Sequence, residues 1–272
     1  MPSGKKSKQQ RREGRTPPPV QSKGGTRRRQ ASPKVLLAVA AAIVIAGVGI
    51  GVGVALSGGG SSNTTANVPT SGSLTNGLPG ASEVYTLFKG IPQNGNVLGS
   101  PSAPVTMVEY IDLQCPFCQE FETQVMPDLV KRYVRPGKVK VEVRPLAFIG
   151  ADSIRGRNAL VAAGRQNHAF DFAEILYDNQ RTENTGWLND AMVEQAAASI
   201  PKLNVPQLLT DRNSSSVKSQ AGSYDAMGND QKVNSTPTLF VGKSGTTGKQ
   251  VAIASPTDEQ AVVAALDAAL AK

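Results

Sequence analysis

Two cysteines, Cys115 and Cys118, stand in the run Cys115-Pro116-Phe117-Cys118, and no third exists in the 272 residues to pair with either. Two cysteines placed at random over residues 81–272 adopt this spacing in roughly one case in a hundred. On a helix, residues i and i+3 share a face. Two sulfurs so placed form and break a disulfide with little backbone movement. The preceding run Val105–Leu113, VTMVEYIDL, is β-branched and apolar, as for a buried strand. Pro116 suits the first position of a helix. A strand therefore feeds directly into a helix that starts at a thiol pair, and the first implication is redox chemistry.

The nucleophile in disulfide exchange is the thiolate, and a helix N-terminus favours negative charge there. Cys115 is expected to be the exposed attacking thiol, with Cys118 one turn in as its resolving partner. Two other uses of the pair are an inert short disulfide and half of a zinc site. Zinc takes four ligands, and the chain offers two cysteines and one histidine, His168. His168, in Gly164-Arg165-Gln166-Asn167-His168, reads as a surface or capping residue at a helix end. Trp187 and Phe172 read as core. No metal and no cofactor is expected.

The net charge of +8 is unevenly placed. Residues 1–34 hold 11 Lys and Arg against the single acid Glu13, while the rest of the chain holds 18 against 20 acids. The high pI thus belongs to a basic arm with almost no large apolar residue, which is expected to be disordered. Nucleic-acid binding is the other use of such an arm. The apolar segment that follows explains the charge better. Val35–Leu56 is free of charge and as a helix spans roughly 33 Å, enough for a hydrocarbon core of about 30 Å. With Lys34 and the arm before it, residues 35–56 read as a single signal-anchor helix with a cytoplasmic N-terminus. A cleaved signal peptide, with Ala55-Leu56-Ser57 as its small-residue site, is the alternative. Glycines 47, 49, 51 and 53 read as ordinary membrane-helix glycines rather than a dimerisation face.

Residues 57–80, rich in Gly, Ser, Thr and Asn, read as a flexible linker. The folded domain is expected over 81–272. After the strand at 105–113, residues Phe117, Phe121, Val125, Leu129 and Tyr133 repeat at helical spacing, and Pro127 should kink that helix. Val139–Pro145 alternates as a strand. A helical block follows over about 152–229, with breaks near Gly186, Pro201 and Asn213. Thr238–Gly242 and Lys249–Ala254 read as strands and Pro256–Leu270 as a closing helix.

This order, with Cys-x-x-Cys at a helix start, a kinking proline and a later strand entered through Thr236-Pro237, resembles the thioredoxin superfamily. The block between Pro145 and Thr236 points to the DsbA-like thiol–disulfide oxidoreductases. Ala103-Pro104-Val105-Thr106-Met107-Val108-Glu109-Tyr110 leading into Gln114-Cys115-Pro116-Phe117-Cys118 is closely similar to those proteins. The resemblance implies an α/β thioredoxin fold with an inserted helical domain, here preceded by one transmembrane helix. It implies that Cys115 attacks, Cys118 resolves, and Pro237, following Thr236, is the cis-proline beside them, with backbone free to pair with an extended substrate. It also implies that Glu109 is a buried acid beneath the site that influences proton transfer at Cys118. A solvent-facing acid on an edge strand is the plainer alternative for Glu109. Pro116 and Phe117 shape the site, and Phe117 departs from the best-known oxidase pattern, which has His there. A neutral ring donates nothing to the Cys115 thiolate.

The expected function is a membrane-anchored extracytoplasmic oxidoreductase, where disulfide chemistry belongs. It oxidises cysteine pairs in exported proteins and needs a membrane redox partner for re-oxidation. The alternatives are a thiol reductase, as in cytochrome maturation, and a non-catalytic, membrane-anchored peptide-binding module.

Overall fold

In the computed structural model, the described residues are 68–271. The basic arm 1–34, the apolar segment 35–56 and residues 57–67 of the linker lie outside them. No helix among the described residues is long and apolar enough to cross a membrane.

Strand β3 (Val105–Ile111) is the centre of a six-stranded sheet with order β1-β2-β4-β3-β5-β6. It runs parallel to β4 (Val139–Pro145) and antiparallel to β5 (Thr238–Lys243). The short strands β1 (Gln93–Asn94), β2 (Val97–Leu98) and β6 (Lys249–Gln250) complete the edges. A β-branched, apolar run suits a strand covered on both faces. Alternation sends Val105, Met107, Glu109 and Ile111 to one face and Thr106, Val108 and Tyr110 to the other. In register, Glu109 lies opposite Val143 on β4 and Leu239 on β5. The acid therefore sits in the middle of the sheet and not on an edge strand.

Helix α1 (Ala81–Phe88) precedes the sheet, and α2 (Pro116–Gln124) starts at the cysteine pair. The long helix expected from Phe117 to Tyr133 is broken. α2 ends at Gln124, a short α3 covers Met126–Leu129, and a wide π-helical turn follows at Val130–Val134. Pro127 has no N–H to donate backwards, so the break falls where a proline forces it. The apolar stripe holds from Phe121 through Val125, Leu129 and Tyr133, all buried. Its expected first member, Phe117, is instead 56% exposed.

Five helices lie between β4 and β5: α4 (Ala151–Gly164), α5 (Ala169–Asp178), α6 (Asp190–Ala198), α7 (Val205–Asp211) and α8 (Ser215–Asp230). They match the expected helical insertion within a residue at either end. Asn189, Asn204 and Ser214 cap α6, α7 and α8 by accepting from the N–H three residues on; each such cap contributes about 1 kcal/mol. Helix α9 (Glu259–Leu270) closes the chain behind an Asp258 cap.

Three features differ from the sequence reading. The strand expected over Lys249–Ala254 pairs only at Lys249–Gln250. Helix α1 and the β1–β2 hairpin, too short for periodicity to register, were not anticipated. Residues 68–80, placed in the linker, are docked on the helical insertion: Gly72 N–H donates to Leu203 O at 2.9 Å and Ser73 N–H to Ala198 O at 2.8 Å. Leu78 N–H donates to Ser199 Oγ at 2.9 Å. Backbone hydrogen bonds, invisible to composition, hold this Gly- and Ser-rich stretch.

Candidate active site

The turn from β3 into α2 is fixed from several sides. Asp112, fully buried, accepts from Gln114 N–H at 2.9 Å, Phe148 N–H at 2.8 Å and Ile149 N–H at 3.1 Å. Gln114 bridges to the insertion, donating to Ser153 Oγ at 2.9 Å and accepting from Asn184 N–H at 2.9 Å. Gln180 donates to Leu113 O at 3.0 Å and Cys115 O at 3.3 Å, and Tyr177 Oη donates to Asp112 O at 3.2 Å. None of these braces was singled out from the sequence, because all but the Gln114–Asp112 bond join positions far apart in the chain.

Cys115 occupies the N-cap of α2 with extended backbone (φ −73°, ψ 119°), and Pro116 takes the first helical position. Both cysteines are free thiols. Cys115 is not the openly exposed thiol expected: its residue surface is only 5% accessible. Its Sγ lies 3.2 Å from Thr236 O, and the Thr236–Pro237 bond next to it is cis. The loop before β5 thus comes from far along the chain to cover the sulfur. A hydrogen bond from the Cys118 thiol does most to pull the Cys115 pKa down to about 6. Burial opposes this, while the Thr236 side chain and the backbone N–H groups of Cys118 and Phe117 assist.

Cys118 is wholly buried. Burial is the main cause that raises its thiol well above the ordinary range. The hydrogen bond it gives Cys115 and the charges of Cys115 and Glu109 add to the rise. Glu109, on the β3 face that packs against α2, is wholly buried too, and its carboxyl has no hydrogen-bond partner other than Glu122. Burial raises its pKa well above 4.5, with Glu122 adding to the shift. Glu122 follows Cys118 by one helical turn, a spacing that puts both on one face. That spacing is the signal by which the sequence could have revealed Glu122. A third buried acid, Glu174 of α5, has no local signal of this kind.

The structure thus brings Cys115, Pro116, Phe117, Cys118, Glu109, Thr236 and Pro237 to one place, with Phe117 turned outward. His168 lies elsewhere, at the N-terminus of α5, where its Nδ1 is 3.1 Å from Asp171 Oδ2. Trp187 and Phe172 are core residues.

A strand running into a helix that opens on two thiols, one activated and one buried, defines a thiol–disulfide exchange site. The family model described as Thioredoxin matches residues 92–267, and the chain belongs to that family as a DsbA-like thiol–disulfide oxidoreductase. Among its relatives is the probable disulfide bond formation protein D of Bacillus cereus. The two are 30% identical over 147 residues, covering 53% of this chain and 68% of the relative. Disulfide bond formation protein D of Bacillus subtilis is 26% identical over 147 residues, covering 53% and 66%. The fold is shared with the oxidised crystal structure of BdbD from B. subtilis, at a TM-score of 0.59 and 23% identity over 67% of this chain and 98% of that one. It is also shared with DsbA from Chlamydia trachomatis, at 0.55 and 19% over 64% and 90%.

Proposed function

We propose that this oxidoreductase works as an oxidase of cysteine pairs in exported proteins, anchored by residues 35–56 with its thioredoxin domain outside the membrane. The observation that carries the direction is the Cys115 pKa of about 6. A stabilised thiolate stabilises the reduced form, and a stabilised reduced form makes the disulfide a stronger oxidant. The names of the Bacillus relatives agree with that direction. The anchor and its orientation rest on the charge step across residues 35–56.

In the oxidised protein, a substrate thiolate attacks Cys115 Sγ. A substrate–Cys115 disulfide forms, the Cys115–Cys118 bond breaks, and its electron pair leaves on Cys118. Buried as it is, Cys118 then takes a proton, and Glu109 is the acid placed to give it. A second substrate thiolate attacks the substrate sulfur of the mixed disulfide, and Cys115 departs as its stabilised thiolate. The substrate has lost two electrons and the protein holds a dithiol. A membrane redox partner returns the pair to the disulfide. The backbone at Thr236 and Pro237 offers an extended substrate a strand to pair with beside Cys115.

The exposed Phe117 supports the reductase alternative, since its ring gives the thiolate no hydrogen bond. The test is the redox state of the pair in growing cells, trapped by acid and alkylated. A mainly oxidised pair that turns over added dithiol peptides supports the oxidase. A pair held reduced overturns it.

A further inference from the structure

Glu109 does not stand alone beneath Cys118. Glu122 of α2 lies within hydrogen-bonding reach of Glu109 on one side and of Glu174 on the other. No lysine or arginine pairs with any of the three among the described residues. Carboxyl groups so buried and so close cannot all be ionised, and they bond to one another only by sharing protons. Both oxygens of Glu109 and one of Glu174 have no other hydrogen-bond partner.

Glu122 and Glu174 also reach a groove of about 530 Å³ that Glu109 does not. The groove lies among α1, the α2–α3 break and α5. Glu83, Asp178 and Lys131 stand on its rim, and neither Cys115 nor Thr236 lines it. The buried thiol is thus joined to a second opening by a line of three acids from three different elements.

We propose that Glu122 and Glu174 relay the proton exchanged at Cys118, carrying it between Glu109 and the groove rather than through the mouth occupied by substrate. This rests on the reading of Cys118 and Glu109 given above. When Cys118 leaves as a thiolate, Glu109 gives it a proton. Glu174 passes its proton to Glu122, Glu122 passes one on to Glu109, and Glu174 takes a replacement from solvent. When Cys118 attacks during re-oxidation, a proton runs the other way. Glu122 accepts hydrogen bonds from both neighbours, and these offset part of its burial. This makes it the member that holds the negative charge between two protonated acids. The other titratable groups near the cluster are Tyr177 and Asp178 on α5, Glu83 on α1 and Lys131 after the α2–α3 break. Lys131, the one base on the groove, pairs with Asp128, so no ion pair fixes the cluster in one ionised state.

The experiment is a single turnover of the oxidised full-length protein with a reduced cysteine-containing peptide, followed over about pH 5–8. It compares wild type with Glu174→Gln, Glu122→Gln and Glu109→Gln. Glu174→Gln keeps the shape and one hydrogen bond, and a melting curve checks its fold. The expected result is a rate about 3–10-fold lower in Glu174→Gln, a flattened pH profile, and recovery in acetate buffer as a small acid replaces the lost carboxyl at the groove. Alkylation of reduced Cys115 is expected to be unchanged. A folded Glu174→Gln protein with wild-type rates and pH profile overturns the relay. Slowing that acetate does not relieve also overturns it, as the mark of a merely structural residue. If Glu109→Gln alone is slow, Glu109 keeps its role and the relay is lost. If Glu109→Gln is also unaffected, the reading on which the relay rests has failed first.

Discussion

The mouth and the floor of this site sit one helical turn apart and treat the same chemical group in opposite ways. At the mouth, Cys115 is covered, yet hydrogen bonds from Cys118, Thr236 and the first turn of α2 draw its thiol down to about 6. At the floor, Cys118 has only one opposing hydrogen bond, at the Asp112 backbone, and burial drives its thiol well up. Burial alone therefore does not decide the ionisation of a sulfur, because the donors aimed at it decide whether desolvation wins. The two states are also linked: one hydrogen bond between the sulfurs lowers one pKa and raises the other. The arrangement gives one thiol that attacks or leaves as an anion and one whose every change of charge needs a proton.

The largest effect that tests this division comes from removing the anion at the mouth. Cys115→Ser is expected to lower peptide oxidation about a thousandfold or more, because a hydroxyl there is neither ionised nor a comparable nucleophile. Cys118→Ser should instead retain attack and accumulate mixed disulfides, visible as adducts on non-reducing gels. Adducts formed by the Cys115→Ser protein would reverse the assignment.

Next comes the donor from the floor. Cys118→Ala removes the strongest influence on Cys115 and should move its alkylation midpoint upward by about one pH unit. A midpoint left near 6 would assign the activation to the helix terminus and Thr236 instead.

How far this division could be read from residues alone differs between its halves. The mouth was legible because it is local: strand, cysteine, proline and helix follow one another, and only the Thr236–Pro237 step needed the resemblance. The exposure of Cys115 was misjudged because its cover arrives from the loop before β5. The floor was half legible. Glu109 interrupts an apolar strand and drew attention at once. Glu122 hid among ordinary polar helix residues, and Glu174 belongs to the insertion, where only tertiary packing brings it beneath the thiol. The docked segment 68–80 was missed for the same reason, since Gly and Ser say nothing of distant carbonyls.

The floor also makes a thermodynamic prediction. Glu109 has a pKa raised above 4.5 in the folded protein, so between about 4.5 and that raised value the native state binds a proton that the unfolded chain has released. Stability contributed by this group therefore falls as pH rises through that window. Glu109→Gln removes the penalty. Its melting temperature should exceed that of wild type by about 4 °C or more at pH 8 and match it near pH 4. A lower melting temperature at pH 8 would show that the ionised carboxylate is stabilised in the fold rather than penalised by burial.

The smallest effect concerns the exposed residue between the thiols. Phe117→His places a donor near Cys115 and should lower its alkylation midpoint by about one unit, with a disulfide about 30 mV more oxidising. An unchanged potential would mean that the ring at 117 lies too far out to reach the sulfur.

The opposition between mouth and floor is tested most directly by alkylating the reduced full-length protein over a range of pH and locating the label by mass spectrometry. The expected result is rapid modification of Cys115 with a midpoint near pH 6, while Cys118 stays unlabelled throughout the range in which the protein is folded. Equal labelling of the two cysteines, or a Cys115 midpoint at the ordinary thiol value near 8.5, would contradict it.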